Sequence, residues 1–319
     1  MLPLRYAGAR VASSLLTLVA VSVLIFAAIH LIPGRYEDIV LSPFAPPASR
    51  AALAERLGLN KPLPEQYARW LLAATRADFG LSLTTGKPIA DEFARRAPVT
   101  LQLTLMSAVI SILVGLPLGI IAGISAGSRS ARSLSRIAGA LAMSIPDFVL
   151  ASFLVYVFSR YALGLTVGGY VPLLADPLTN LRAMILPAVA LSVFGLALIM
   201  RTTRDAVMTV LSEPFVLSAV ARGESTGTIV RRHVLRNASI PIVTVIATNV
   251  GYLLGGAVIV ELLFSIPGLG RYMLDAISNR DYPVVQAGVL LASFVFVLLN
   301  TAADLAYAWL DPRIGSRNR

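Results

Sequence analysis

Long apolar runs separated by short polar segments dominate the 319-residue sequence. The runs occupy residues 11–32, 99–126, 137–159, 183–200, 238–266 and 282–310. Because a helix needs about 20 predominantly apolar residues to cross a bilayer, the pattern predicts an all-α polytopic membrane protein with six transmembrane helices. The first run is longer than the apolar core of a signal peptide, so we interpret it as a retained span.

Arginine is unevenly distributed among the segments that connect these runs. Alternate segments carry Arg5, Arg10, Arg129, Arg132, Arg136, Arg201, Arg204, Arg222, Arg231, Arg232, Arg236, Arg313, Arg317 and Arg319. The short connections between them carry only Arg160, Arg182, Arg271 and Arg280. Cytoplasmic loops are enriched in Lys and Arg, so both termini are predicted to lie in the cytoplasm.

The long connection 33–98 has apolar residues at helical spacing. They are Leu53 and Leu57, before a break at Lys61 and Pro62, and Tyr67, Trp70 and Leu71 after it. This pattern predicts a helical extracytoplasmic loop of short amphipathic helices, with aromatic side chains suited to the membrane interface. A solvated cap without a partner is the alternative.

The predicted cytoplasmic segment 201–240 contains a helix-turn-helix pattern. Pro214 suits the first turn of a helix, and Gly223 suits the position just after its end. Ser225 or Thr226 can cap a second helix.

The second helix is expected to end at Asn237, before Pro241 opens the fifth span. Small side chains at Ser218, Ala219 and Ala221 would permit close approach of another protein, and the neighbouring arginines would favour an acidic surface on it. The alternative is an ordinary positively charged loop.

Three predicted spans contain a carboxylate, which is costly to expose to lipid. Asp147 lies ten residues beyond Ile137, which places it about 15 Å deep in a continuous helix. We favour a water-filled cavity around it over a hydrogen bond to a carbonyl freed by Pro146. Glu261 and Asp304 are expected to brace neighbouring helices, with contact to a transported solute as the alternative for Glu261.

Composition excludes several function classes. Only 14% of the residues are charged, and the net charge of +10 comes from short arginine-rich connections, which argues against nucleic-acid binding. The sequence has no cysteine, two isolated histidines and no G-x-x-x-x-G-K-[ST] phosphate loop. Neither a catalytic constellation nor a metal site is predicted.

Several motifs, in order along the chain, resemble the permease subunits of the dipeptide and oligopeptide family of ABC importers. They are "LIPG", "LGLNKPLPEQYARWL", "DFGLSL", "APVTLQLTL", "GLPLGIIAG", "FVLSAVARG", "RRHVLRNASIPIV", "VIVELLFSIPGLGRYMLDAISNRDYPVVQAGVLL" and "ADLAYAWLDPRIGS". "FVLSAVARG" resembles the cytoplasmic loop that contacts the ATPase in this family. Two departures are Leu217, where the loop motif has an acidic residue, and Asp147, where an uncharged residue is more usual.

The resemblance implies a B-type permease, with residues 1–319 forming a single transmembrane domain in a bacterial or archaeal cell membrane. It also implies partners: a second homologous permease, two ATPase subunits, an extracytoplasmic solute-binding protein and membrane lipid. ATP and Mg²⁺ would be used by the ATPases, and this chain would bind no cofactor. The residues implied in ATPase coupling are Phe215, Ser218, Ala219, Arg222, Gly223, Arg232 and His233; Asp147, Glu261 and Asp304 are candidates for the translocation path or for helix bracing.

Peptide is the substrate class that the resemblance favours, while nickel, glutathione or another small solute fits the same architecture. A stand-alone secondary transporter is a further alternative, but it would need ion-relay charges and usually internal repeats. Asp147 is the only candidate relay, and the sequence shows no repeat.

Overall fold

The computed structural model describes residues 4–31, 60–125, 129–161 and 164–310, together with the single positions 48 and 55. This part of the chain forms ten helices. They are α1 (Leu4–Leu31), α2 (Leu63–Ala74), α3 (Ile89–Ile124), α4 (Arg129–Ser144), α5 (Asp147–Tyr161), α6 (Pro177–Leu211), α7 (Pro214–Ala221), α8 (Thr226–Leu263), α9 (Leu269–Ser278) and α10 (Tyr282–Leu310).

Five helices are long and apolar enough to cross a membrane. They are α1 from Gly8, α3, α6, α8 and α10 as far as Ala302. The helical membrane fold is thus confirmed, with a sixth span only if α4 and α5 are counted together. The inside location of both termini stays a prediction.

The third predicted span is not one straight helix. Its two halves, Ser135–Ser144 and Asp147–Tyr161, are bent by 86° at the break between them. Pro146 has no N–H and disfavours helical backbone at Ile145, and its carbonyl accepts the first hydrogen bonds of α5, from Val149 and Leu150. The expected position of Asp147 ten residues inside a continuous helix is therefore wrong, because Asp147 begins α5.

The expected helix end before Pro241 is also wrong. Helix α8 runs without a break from Thr226 to Leu263 and contains Pro241, and its segment Ile229–Val234 is a π-helical turn. Proline at 241 removes the N–H that would bond to the carbonyl of Asn237. Asn237 is exposed, so water can satisfy that carbonyl and the helix continues.

The chain divides into two compact units. The first comprises Met1–Pro98, Arg271–Leu305 and Arg313–Arg319, and the second comprises Val99–Gly270 and Ala306–Pro312.

In the first unit, α2 is the amphipathic helix expected after the Lys61-Pro62 break. It packs against α1 through aromatic rings, since the ring of Phe26 lies 5.4 Å from that of Tyr67 and 6.0 Å from that of Trp70. The hydroxyl of Tyr67 also shares a 2.8 Å hydrogen bond with Ser22. The helix predicted around Leu53 and Leu57 lies outside the described residues.

Elsewhere in the first unit, a buried carboxylate secures the turn that precedes α3. Asp281 accepts hydrogen bonds from the Ser82 hydroxyl at 2.6 Å and from the Leu83 and Thr84 N–H groups at 3.1 and 3.2 Å. Asp281 is almost fully buried, so these donors replace the water that it has lost.

The second unit is built around α6, the most buried of the candidate spans. Gly115, Gly119 and Gly123 of α3 lie directly against it: a Cβ atom at Gly119 would come within 2.6 Å of the Met200 carbonyl oxygen and of the Thr203 Cβ atom. Small residues allow the two helix backbones to approach closely.

Candidate functional site

A tight turn joins α7 to α8. Gly223 has a φ of +80°; its N–H donates to the Val220 carbonyl at 2.9 Å, and the Glu224 N–H donates to the Ala219 carbonyl at 3.2 Å. This pair of bonds is a Schellman motif, which ends a helix with one left-handed residue. Glycine adopts that conformation without the Cβ strain of other residues, as the sequence pattern predicts.

Helix α8 begins with a side-chain cap. The Ser225 hydroxyl oxygen accepts a 3.4 Å hydrogen bond from the Thr228 N–H, which satisfies a backbone donor that has no partner within the helix. The reversal of the chain between α7 and α8 is therefore specified by local chemistry at both ends.

Glu224 joins the turn to the first turns of α8. Its Oε1 atom lies 2.7 Å from Nη2 of Arg222, and its Oε2 atom lies 2.9 Å from Nε2 of His233. The hydrogen bond from Arg222, followed by that from His233, holds the pKa of Glu224 below its ordinary value. Arg222, expected to face an acidic partner, is thus already paired within the chain, although its side chain is 58% exposed.

Helix α7 has two buried side chains and a largely apolar exposed surface. Val216 and Ala219 pack into the cluster that contains Val207, Ile229 and Val234. The predicted coupling residue Ala219 is therefore fully buried and fixes the position of the helix.

Three large apolar side chains of α7 remain exposed. Phe215, Leu217 and Val220 are 41%, 63% and 57% exposed. Of the other predicted coupling residues, Ser218 and Arg232 are exposed, and the Ser218 hydroxyl donates to the carbonyl of Pro214 in its own helix at 3.1 Å.

Asp147 lies where three helices of the second unit meet. Its Oδ2 atom accepts a 2.8 Å hydrogen bond from the Tyr252 hydroxyl of α8. The ring of Tyr252 lies 4.6 Å from that of Phe194 in α6. A Cβ atom at Gly256 would come within 3.3 Å of the same carboxylate oxygen, so the glycine provides room for it.

Glu261 is completely buried near the end of α8. Its Oε1 atom accepts a 2.5 Å hydrogen bond from the Thr100 hydroxyl, and the Thr100 oxygen accepts the Leu269 N–H at 2.8 Å. A side chain at Gly268 would overlap the Glu261 carboxylate. This geometry supports the bracing interpretation, because the carboxylate ties α3 to the turn after α8.

The side chain of Asp304 lies outside the described residues, so its expected role in bracing stays a prediction. Within the ranges that the structure describes, no group of three or more His, Asp or Glu side chains is placed to hold a metal ion.

Two family models together match nearly the whole chain. Residues 115–316 match the binding-protein-dependent transport system inner membrane component, and residues 3–104 match the N-terminal part of the same kind of membrane component. The chain belongs to this permease family. The match means that the protein is a transmembrane subunit of an ABC importer, as the sequence motifs predict.

Relatives of this permease cover it almost end to end. A probable peptide ABC transporter permease of Sinorhizobium fredii, y4tP, is 37% identical over 96% of this chain and 97% of its own length. The dipeptide transport permease DppB of Alkalihalophilus pseudofirmus is 34% identical over 98% of this chain and 99% of its own length. The glutathione transport permease GsiC of Shigella flexneri is 38% identical over 98% of this chain and 99% of its own length.

A solved structure supports the fold of the permease. An inward-facing structure of the MetNI methionine ABC transporter matches with a TM-score of 0.55 at 21% identity. The match covers 69% of this chain and 96% of that chain. At this identity the likeness concerns the fold alone.

Sequence reasoning about this permease missed several residues that the structure places at the candidate sites. Glu224 follows Arg222 by two positions, and its acidic side chain among basic neighbours was an available signal. Tyr252 and Thr100 had no local signal, because they lie 105 and 161 residues from the carboxylates that they contact.

Proposed function

We propose that this permease pairs with a second, homologous permease to form a translocation path for peptides or similar small solutes. Two ATPase subunits would dock on its cytoplasmic side, and an extracytoplasmic solute-binding protein would deliver the solute. The main support for this proposal is the α7–α8 turn. Helix caps on both sides and an ion pair hold its backbone in place, and α7 presents exposed apolar side chains next to it.

The apolar side chains of α7 supply the contact area for an ATPase subunit. Leu217 and Val220 are more than half exposed while their neighbour Ala219 is fully buried. Exposed apolar side chains held on a rigid element fit a protein interface, whose central residues are desolvated on docking.

The packing beneath α7 explains how movement of an ATPase would reach the membrane. Val216 and Ala219 lie in one cluster with Val207 of α6 and Val234 of α8. Because packed side chains transmit displacement rather than absorbing it, a shift of α7 would move these two spans together. Coupling then needs only that the ATPase contacts α7 differently in its two states.

In this proposal the chain performs no chemistry itself. ATP and Mg²⁺ are used by the ATPase partners, and the permease lies in the inner membrane with both termini in the cytoplasm. The arginine distribution supports this orientation, because the α7–α8 segment carries Arg222, Arg231, Arg232 and Arg236.

Peptide is the proposed substrate class because two of the relatives described above are named for peptide or dipeptide transport. Glutathione is the second candidate, since the GsiC relative is named for it and matches at similar identity. Both classes carry a free amino group.

The test is co-expression with the cognate second permease, ATPases and binding protein, followed by purification and peptide uptake in proteoliposomes. We expect one assembly in which ATP hydrolysis drives uptake, and Val220→Asp should release the ATPases by placing a charge in the apolar docking contact, since Val220 is 57% exposed on α7. Leu174→Asp, at a 98% exposed position outside the helices, is the matched control. Uptake by this chain without partners, or full ATPase binding by Val220→Asp, would contradict the proposal.

A further inference from the structure

The junction of α5, α6 and α8 presents polar groups on the surface of the second unit. Asp147 is only half-buried, Tyr252 is 41% exposed, and Phe194, which stacks against Tyr252, is also partly exposed. Among the described residues, no Lys or Arg pairs with Asp147, and its one hydrogen-bond donor is Tyr252.

Contact with lipid is energetically unfavourable for this surface. Exposing a carboxylate to hydrocarbon costs several kcal/mol or requires water to enter. The break at Ser144, Ile145 and Pro146 is exposed too. Non-helical backbone at membrane depth persists where protein covers it or where it lines a water-filled cavity.

The chemistry of the junction suits a cation. Asp147 lies in the first turn of α5 and accepts the Tyr252 hydroxyl, and both features stabilise negative charge. Its other oxygen, Oδ1, accepts no hydrogen bond within the described residues. Tyr252, whose hydroxyl contacts this carboxylate, stacks on Phe194 with ring centroids 4.6 Å apart, and aromatic rings attract cations.

We infer that Asp147, Tyr252 and Phe194 form a cation-recognition site in the translocation path, which takes the primary ammonium group of the solute, such as the free N-terminus of a peptide. This inference rests on the proposed function as an importer path. The ammonium donates to Oδ1 of Asp147 and lies against the aromatic rings. Solutes whose amino group is blocked by acylation lose both interactions.

The first experiment tests the site without any substrate. The chain has no cysteine, so Phe194→Cys introduces a single thiol beside Tyr252. In the assembled complex, its labelling rates with a cationic and with an anionic water-soluble thiosulfonate are compared, before and after adding Asp147→Asn. The charge of Asp147 should raise the labelling rate with the cationic reagent relative to the anionic one. Asp147→Asn should lower this ratio of labelling rates by about five- to tenfold.

Two outcomes of the labelling experiment overturn the inference. Absence of labelling by either reagent means that lipid or the second permease covers this surface. An unchanged ratio after Asp147→Asn means that the carboxylate does not act on solutes there. Asp91→Asn is the matched control, because it removes an exposed carboxylate from α3 and should leave the ratio unchanged.

The second experiment measures uptake of a dipeptide and of its N-acetylated form by the complete complex. The binding protein is the same throughout, so a change in relative uptake comes from the permease. Asp147→Asn should lower uptake of the free-amine peptide by about tenfold, Asp147→Glu should restore part of it, and the complex should still assemble. Undiminished free-amine uptake, an equal fall for both peptides, or loss of assembly would overturn the inference, whereas a wild-type complex that takes up no peptide contradicts the proposed function.

Discussion

The Thr100 hydroxyl donates a 2.5 Å hydrogen bond to Glu261 while its oxygen accepts the N–H of Leu269. One side chain of α3 thereby connects a buried carboxylate of α8 to the backbone of the turn that follows. The carboxylate is fully buried, so the donor supplies stabilisation that water cannot.

Thr100→Val keeps the shape of the side chain but removes the hydroxyl. We expect the free energy of unfolding of the purified complex to fall by about 1–3 kcal/mol, because a buried carboxylate and a backbone N–H each lose a partner. Thr248→Val is the control, since the Thr248 hydroxyl bonds only to the exposed turn before it in α8. Equal thermal stability of the two variants would show that Thr100 does not brace Glu261.

Gly223→Val should uncouple the permease from its ATPases. The substitution meets no neighbouring atom within 4 Å, but the φ of +80° strains a β-branched residue by about 1 kcal/mol or more. Transport and solute-stimulated ATP hydrolysis should fall together in a protein that still inserts into the membrane. Gly227→Val is the matched control, at a position that is equally open but has no positive φ. Hydrolysis that stays fully coupled to transport in Gly223→Val would contradict the proposed coupling through α7.

Glu224→Gln should loosen the α7–α8 turn at neutral pH. Because Arg222, followed by His233, lowers the pKa of Glu224 below its ordinary 4.5, the carboxylate contributes stability above that value. The contribution disappears as pH falls through the lowered pKa of the folded state. Amide hydrogen exchange over residues 219–229 should therefore be faster in the variant than in wild type at pH 7.

The difference in exchange between Glu224→Gln and wild type should vanish at low pH, where both side chains are uncharged. Glu213→Gln serves as the control, because Glu213 is exposed and makes no side-chain cap to α7. A variant whose turn exchanges like wild type at pH 7 would mean that the two caps alone hold the turn.

Gly119→Ala should disturb the packing of α3 against α6. The new methyl group would lie 2.6 Å from the Met200 carbonyl oxygen and from Thr203, so the helices must separate, at a cost of about 1–3 kcal/mol. Gly255→Ala in α8 meets nothing within 4 Å and should be neutral or slightly stabilising. The midpoint of thermal unfolding is measured for the purified complex carrying each variant. Equal midpoints for Gly119→Ala and Gly255→Ala would mean that the packing of α3 against α6 does not depend on this close approach.

Sequence alone determined the features of this permease that depend on near neighbours in the chain. Apolar runs long enough to cross a bilayer predicted five helices that the structure contains, because membrane insertion depends on the composition of about 20 consecutive residues. Pro214, Gly223 and Ser225 predicted the α7–α8 turn, because caps and positive φ are decided within a few residues.

Only the tertiary structure decided whether a proline interrupts a helix and which side chains contact the carboxylates of Asp147 and Glu261. The helix breaks at Pro146, whereas α8 continues through Pro241. The carbonyl that Pro241 frees belongs to the exposed Asn237, where water can satisfy it, and the packing of the helices decides which residues are exposed. Asp147 meets Tyr252, and Glu261 meets Thr100, through packing of helices distant in sequence. Helical spacing along one chain segment carries no information about such pairs, since they depend on which faces of separate helices come together.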